Sequence, residues 1–258
     1  MRKTGLGMAG AAIALALAGC GNAADDTADP VDNATPTQAA DPAAAAVADE
    51  ARPAEDKARD ANRKPAEIVA FSGVKPGDIV AEVAPGGGYY TRILAKAVGP
   101  EGHVYALVPS IFANRPGGLD AINALAAAYP NVTVQAVDFG NFELDRPVDV
   151  VWTTENYHDI ANGDIDAANR AFFSALKPGG IYFVEDHSAP GTGTSATSTL
   201  HRIDPQAVKD QVAAAGFSLE EESSALANPE DPHTASANDD SIKGRTDKFA
   251  LRFRKPAE

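Results

Sequence analysis

The alternation of two kinds of segment along this chain limits its fold more than any other feature. Between residues 78 and 254, short runs rich in Val, Ile and Phe alternate with stretches in which apolar residues have helical spacing. The strand-like runs are residues 78–83, 104–108, 132–137, 148–153, 181–185, 217–222 and 248–254, and the helix-like stretches are residues 89–98, 119–129, 165–176 and 205–215. Strands that alternate with helices form parallel sheets with right-handed crossovers. The pattern therefore predicts an α/β fold, a doubly wound and mostly parallel sheet with helices on both faces.

The first twenty residues have the pattern of a bacterial lipoprotein signal. Arg2 and Lys3 precede an apolar stretch, residues 8–18, that is too short to cross a bilayer as a permanent helix. The stretch leads into Leu-Ala-Gly-Cys, so that Cys20, the only cysteine, stands at the position of lipid attachment and cleavage. An ordinary secretory leader with a chance cysteine is the alternative. We expect a signal peptide over residues 1–20 and membrane attachment only through a lipid on Cys20. Gly21 follows the cysteine, which favours the bacterial outer membrane, facing the periplasm.

Residues 21–52 are predicted to form a disordered tether, and residues 53–258 the folded domain. Between residues 21 and 51 there are seven acidic residues and no Lys, Arg or aromatic residue. Such a composition cannot bury enough apolar surface to offset the entropy of ordering. The formal net charge of −14 argues against nucleic-acid binding, because phosphate contacts need clustered Lys and Arg. The sequence does not indicate an oligomeric state.

Three consecutive glycines lie between the first predicted strand and the helix that follows it, within residues 82–88. A doubly wound sheet binds nucleotide-like ligands at this position. Glycine permits positive φ and lets backbone amides approach a ligand closely. A tight structural turn uses the same residues, so the interpretation depends on the surrounding sequence.

The surrounding sequence resembles class I S-adenosylmethionine-dependent methyltransferases. An acidic residue ends the first strand, glycines follow four and six positions later, and the turn LKPGG precedes the fifth strand. The segments APGGGYYT (84–91), NYHD (156–159), DHSA (186–189), LHRID (200–204) and RTDKF (245–249) are similar to a family of predicted bacterial methyltransferases, many of them exported. The resemblance covers about residues 55–256. It implies a Rossmann-like seven-stranded sheet with an antiparallel last strand and an S-adenosylmethionine site at strands one to three.

The resemblance also implies roles for individual residues. Glu82 would orient the methionine part of the cofactor, and Gly86 and Gly88 would make close backbone contact. Asp138 would accept a hydrogen bond from the adenine amine while Phe139 packs on the ring. The alternatives are a loop-capping carboxylate for Asp138 and packing under the loop for Tyr89. The implied cofactor-binding set is Glu82, Pro85, Gly86, Gly87, Gly88, Tyr89, Asp138 and Phe139.

The chain departs from the methyltransferase pattern at the end of the second strand. An acidic residue there normally binds both ribose hydroxyls, whereas this chain has Leu-Val-Pro-Ser ending at Ser110. A hydroxyl makes one weaker hydrogen bond in place of a charged bidentate contact. We therefore expect a lower cofactor affinity.

Histidines and carboxylates are concentrated after the fourth and fifth predicted strands. Histidine titrates near neutrality and an adjacent carboxylate fixes its tautomer, which suits a general base. The main interpretation assigns catalysis to His158, His187, Asp186 and His201 and includes no metal. One alternative is a hydrogen-bond network that only stabilises loops. Another is a metal site built from these histidines with Asp159 and Asp186, or Mg²⁺ held by carboxylates.

Two functions remain open from the sequence. The first is a lipid-anchored S-adenosylmethionine-dependent methyltransferase that acts on a small molecule or an envelope component. The alternative is a small-molecule-binding lipoprotein that has kept the fold and lost the chemistry. Export away from the compartment that makes the cofactor and the missing acid of strand two favour the alternative. Glu82, the glycine loop and the polar strand ends favour the enzyme, and a purely structural envelope lipoprotein is the least favoured class.

Overall fold

The computed structural model describes residues 41–258, which are built around a seven-stranded sheet. The strands are β1 (Ile79–Val83), β2 (His103–Pro109), β3 (Val132–Val137), β4 (Val148–Thr154), β5 (Leu176–His187), β6 (Ser218–Ser223) and β7 (Lys248–Arg254). Their order is β3-β2-β1-β4-β5-β7-β6. Strands β1 to β5 pair in parallel, and β7 is antiparallel to both β5 and β6. The predicted fold is confirmed. The signal peptide, Cys20 and the first part of the tether lie outside the described residues.

Helices cover both faces of the sheet. They are α1 (Pro42–Val47), α2 (Ala54–Lys57), α3 (Asp60–Arg63), α4 (Pro65–Ser72), α5 (Tyr89–Val98), α6 (Ser110–Ala113), α7 (Asp120–Ala128), α8 (Tyr157–Ile160), α9 (Ile165–Ala175), α10 (Thr197–Leu200) and α11 (Pro205–Ala214). Successive β4 residues point to opposite faces, so Trp152 packs in the core beside α5 and Val151 in the core beside α9. Trp152 is fully buried in this core. Within residues 41–258, no helix is both long and apolar enough to span a membrane.

The folded part begins earlier than the sequence predicts. Helix α1 lies in the predicted tether, and its Ala43 and Ala46 are buried in the core. Asp41 caps this helix by accepting a hydrogen bond from the backbone N–H of Ala43. Arg52 is also buried and pairs with Asp60 at 2.7 Å. The prediction of a tether is therefore wrong for residues 41–52. Average composition does not reveal that one small alanine face can pack on a neighbouring helix.

Strand β5 contains a bulge where a turn is predicted at residues 177–180. Leu176 pairs with Val148, and Ile181 pairs with Val150. Between these two pairs the chain advances five residues along β5 but only two along β4. Gly179 takes φ +74° within this bulge. The strand then continues to His187. The bulge therefore sets which residues of β5 reach the carboxyl edge of the sheet.

Candidate functional site

The glycine loop after β1 exposes backbone toward open space. Gly86 and Gly88 have φ of +55° and +80°, the left-handed region that glycine tolerates. A Cβ at Gly86 or Gly87 would meet no atom within 4 Å. A Cβ at Gly88 would lie 2.2 Å from Leu125 Cδ1. Gly86 and Gly87 therefore leave room for a ligand, whereas Gly88 lets α5 pack closely against α7.

Glu82 supports the loop from below. Its buried carboxyl accepts a hydrogen bond of 2.6 Å from the Thr91 hydroxyl in the first turn of α5. Burial raises the pKa of Glu82 to about 7, although Thr91 and Arg92 act in the opposite direction. The bond joins the end of β1 to α5 and so fixes the two ends of the glycine loop. This position suits an indirect role in cofactor binding.

Two neighbouring cavities lie at the carboxyl edge of β1 to β4. The loop cavity, about 190 Å³, is lined by residues that include Pro85, Gly86 and Asn156. The Asp138 cavity, about 520 Å³, is lined by Asp138 and by residues that follow β2, β3 and β4. Pro109, the last residue of β2, lines both. The strand order reverses between β1 and β4, and sheets of this kind bind ligands at such a switch point.

The Asp138 cavity contains several of the predicted adenosine contacts. Asp138 Oδ1 accepts a hydrogen bond of 3.1 Å from the backbone N–H of Gly140, so it caps its own loop and lines the cavity as well. Phe139 lines the cavity beside it. Ser110 is also in the wall, where the family pattern has an acid, and Asp159 and Asp164 line the cavity from the segment after β4.

Tyr89 does not contribute its side chain to either cavity. Its hydroxyl donates a hydrogen bond of 2.6 Å to Asp60 Oδ1. The guanidinium carbons of Arg52, Arg59 and Arg63 lie 5.3, 5.0 and 4.8 Å from its ring centre. The ring is buried beneath these N-terminal residues, which corresponds to the packing alternative. The predicted cofactor contact of the Tyr89 side chain is therefore not supported.

The structure brings the four predicted catalytic residues together. Asp186 Oδ1 lies 2.8 Å from His158 Nδ1, and Asp186 Oδ2 accepts the backbone N–H of His158, also at 2.8 Å. The ring centres of His187 and His201 lie 6.1 and 5.5 Å from that of His158. Burial disfavours the charged imidazolium, but the carboxylates of Asp186, Asp159 and Glu155 together outweigh this effect and raise the pKa of His158.

His187 and His201 have different surroundings. His187 Nδ1 lies 2.8 Å from the Thr246 hydroxyl, and burial lowers the pKa of His187 to about 4. His187 is therefore neutral near physiological pH. His201 is partly exposed at the end of α10 and has φ +51°. A left-handed backbone at a residue other than glycine is strained and is often found at functional sites.

Sequence reasoning missed a cluster of buried charges beside these histidines. Lys248 Nζ lies 2.7 Å from Glu155 and 3.2 Å from Glu185, and Arg63 of α3 also pairs with Glu155. Burial opposes ionisation of Glu155, but Lys248 and Arg63 hold its pKa well below the usual range. Burial raises the pKa of Glu185 to about 7. The sequence placed Glu155 and Glu185 at strand ends, but nothing in its spacing indicated that Arg63 and Lys248 would meet them.

The strand order, the antiparallel β7 and the open glycine loop together define the class I S-adenosylmethionine-dependent methyltransferase fold. Residues 80–180 match a family described as "Methyltransferase domain". The chain therefore has the fold of this superfamily, and part of its sequence is similar to that methyltransferase family.

Known proteins of similar sequence and structure agree with this placement. A protein-L-isoaspartate O-methyltransferase of Ignicoccus hospitalis is 32% identical over 129 residues, which cover 49% of this chain and 55% of the relative. The chain thus spans about half the length of that curated relative. A SAM-dependent methyltransferase from Aquifex aeolicus superposes with a TM-score of 0.53 at 16% identity, covering 73% of this chain and 87% of that one. The [4+2]-cyclase SpnF superposes with a TM-score of 0.58 at 17% identity, covering 77% and 82%. At such identities the structural likeness shows the fold alone.

Proposed function

We propose that this chain binds S-adenosylmethionine at the glycine loop and transfers its methyl group to a small molecule or an envelope component. The observation that supports the proposal is the open space above Gly86 and Gly87, next to two cavities at the switch point of the sheet. The volume of the Asp138 cavity, about 520 Å³, lies within the usual range for small-ligand sites, about 300 to 1,000 Å³.

The residues present fit such a cofactor. When bound, S-adenosylmethionine supplies an electrophilic methyl group on a sulfonium. The backbone at Gly86 would contact its methionine part, and Asp138 with Phe139 would hold its adenine. Ser110 offers only a hydroxyl at the ribose position, and for this reason we expect modest affinity.

The acceptor side is proposed to lie at the ends of β4 and β5, beside His158 and Asp186. Asp186 fixes the imidazole of His158 through Nδ1. The Nε2 atom is then directed toward Asp159 and His201. Methyl transfer is an in-line displacement, so the main tasks of these residues are to align the acceptor and to accept its charge.

The proposal is tested by cofactor titration of the full-length chain in detergent. Calorimetry should detect binding of S-adenosylmethionine and S-adenosylhomocysteine, and Gly86→Val should weaken it by about tenfold or more, because the side chain would occupy the ligand's space. Gly179→Val is the matched control, since Gly179 has φ +74° and an equally open Cβ position but lies in the β5 bulge. Absence of binding at millimolar ligand, or equal weakening by both substitutions, would contradict the proposal.

Transfer itself separates the enzyme from the binding protein. The chain is incubated with methyl-tritiated S-adenosylmethionine and a solvent extract of its host envelope. Labelled product that disappears with Gly86→Val supports the methyltransferase. Cofactor binding without any labelled product favours the non-catalytic binding protein. A fold of this kind does not by itself imply methyl transfer, since SpnF, a structure of similar fold, is named a [4+2]-cyclase.

We further propose that Cys20 carries the lipid that holds the chain at the outer membrane. The support is in the sequence: a positive start, a short apolar stretch and the single cysteine at its end. Two or more acyl chains on one residue give stable membrane attachment.

A further inference from the structure

Three side chains converge at the rim of the Asp138 cavity with the spacing of metal ligands. His158 Nε2 lies 3.5 Å from Asp159 Oδ1, and His201 Nδ1 lies 3.6 Å from the same oxygen. The three ligand atoms all lie within 4.8 Å of one another. The two separations to Asp159 exceed those of ordinary N–H···O hydrogen bonds, about 2.7 to 3.2 Å. They are close to the spacing of about 3.4 Å between two atoms that share a tetrahedral ion at about 2.1 Å.

The hydrogen bonds around His158 prepare it to be a metal ligand. A carboxylate accepts hydrogen bonds, so the 2.8 Å contact of Asp186 Oδ1 places the ring proton on Nδ1. The second Asp186 oxygen binds the backbone N–H of His158 and fixes the carboxylate in turn. The lone pair of Nε2 is left toward Asp159. Metal-binding histidines in proteins are commonly held by a carboxylate in this way.

The position of His201 is fixed by the residues that follow it. Arg202 is fully buried and pairs with Asp231 at 2.8 Å. The backbone N–H of Ile203 donates a 2.9 Å hydrogen bond to the carbonyl of His187 on β5. These contacts hold His201 in its left-handed conformation next to the end of the sheet. A ligand held on a strained but anchored residue needs little reorganisation to bind.

We infer that His158, Asp159 and His201 bind a divalent first-row transition-metal ion, for which Zn²⁺ is the probe. Two imidazole nitrogens and one carboxylate oxygen suit such an ion, whereas Mg²⁺ and Ca²⁺ prefer oxygen ligands alone. The side chains of Asp159 and His201 are 57% and 40% exposed, so the fourth position is open to water or to an oxygen of a guest. Asp159 also lines the Asp138 cavity, which places the ion at the mouth of that cavity. The inference goes beyond the proposed function and stands independently of methyl transfer, because the ligands need no cofactor.

The inference is tested by metal titration of the full-length chain in detergent without a polyhistidine tag. Every sample carries Cys20→Ser, which removes the only thiol. We expect one Zn²⁺ per chain by calorimetry and visible d–d bands when Co²⁺ replaces it. His201→Ala and Asp159→Asn should each weaken Zn²⁺ binding by about tenfold or more, and Asp186→Asn, which removes the support of His158, by about 10- to 100-fold.

His233→Ala is the matched control. His233 also has a left-handed φ, +58°, is partly exposed, and has its Nε2 2.9 Å from an aspartate, Asp247, but it lies outside the cluster. It should leave Zn²⁺ affinity and Co²⁺ spectra unchanged. Lack of stoichiometric binding by the chain that carries Cys20→Ser alone, or an equal loss with His233→Ala and His201→Ala, overturns the inference. Stoichiometric Zn²⁺ binding without any S-adenosylmethionine binding rejects the proposed function and retains the metal site.

Discussion

Glu82 shows how one buried carboxyl can support a ligand site without facing it. Its only hydrogen-bonding side-chain partner among the described residues is Thr91. The sequence indicated Glu82 as a cofactor-orienting residue because an acid before a glycine turn is a local pattern, and that role stays a prediction. The Thr91 hydroxyl that binds it lies in the first turn of α5, beyond the glycine loop, and nothing in the spacing indicated that contact.

The raised pKa of Glu82 leads to a prediction for stability. Its pKa is about 7 in the folded chain and near 4.5 without the fold, so between these pH values the folded state binds more protons. The free energy of unfolding should therefore fall as pH rises through this window. Glu82→Gln keeps an acceptor for Thr91 and removes the titration. Relative to this variant, the unsubstituted chain should lose up to about 3 kcal/mol between pH 4.5 and 7, since one pKa unit corresponds to about 1.4 kcal/mol. Urea unfolding at a series of pH values measures this difference, and a difference that stays constant with pH would contradict it.

At the scale of elements, the glycines of the loop after β1 have two different roles. Gly86 and Gly87 border open space, and Gly88 is the contact between the start of α5 and Leu125 of α7. All three were predicted to bind cofactor from a single motif. A motif identifies the loop, but it does not reveal which glycine faces a ligand and which faces a helix, because that depends on the packing of α7.

We predict that Gly88→Ala destabilises the fold by about 2 to 5 kcal/mol. The new Cβ would lie 2.2 Å from Leu125 Cδ1, and the backbone of residue 88 would have to keep its φ of +80°. Overpacking costs about 1 to 3 kcal/mol and a left-handed backbone about 1 to 2 kcal/mol. Leu125→Ala in the same chain removes the clash and leaves only the backbone cost. Urea unfolding of the two single variants and the double variant should therefore show coupling. Strictly additive effects would mean that the two residues do not press on each other.

At the scale of the whole molecule, the sequence predicts the sheet better than the chemistry around it. The mostly parallel sheet follows from the alternating segments, and its antiparallel last strand follows from the resemblance to methyltransferases, which depends on short motifs. The charge cluster joins Arg63, Glu155 and Lys248, residues about ninety positions apart from one to the next. Such pairs arise only when the sheet brings its edges together, so a reading of local spacing could not find them. For the same reason the burial of α1 was missed.

The attachment of the whole chain can be tested in cells. Radiolabelled palmitate should label the protein, and Cys20→Ala should abolish that label, because Cys20 is the only thiol in the sequence. The variant should also leave the outer-membrane fraction. Undiminished labelling of Cys20→Ala would exclude this residue as the site of the lipid.

The buried ion pair of Arg202 and Asp231 limits the direction from which a ligand can enter the cleft. Arg202 also donates to the carbonyls of Ser188 and Ala235, so it joins the segment after β5 to the long connection between β6 and β7. Separating these segments would break a buried, hydrogen-bonded ion pair, which costs several kcal/mol. We therefore expect this side of the cleft to remain closed. Ligands should enter and leave from the opposite side, over α6, where Ile111 and Phe112 are 69% and 47% exposed.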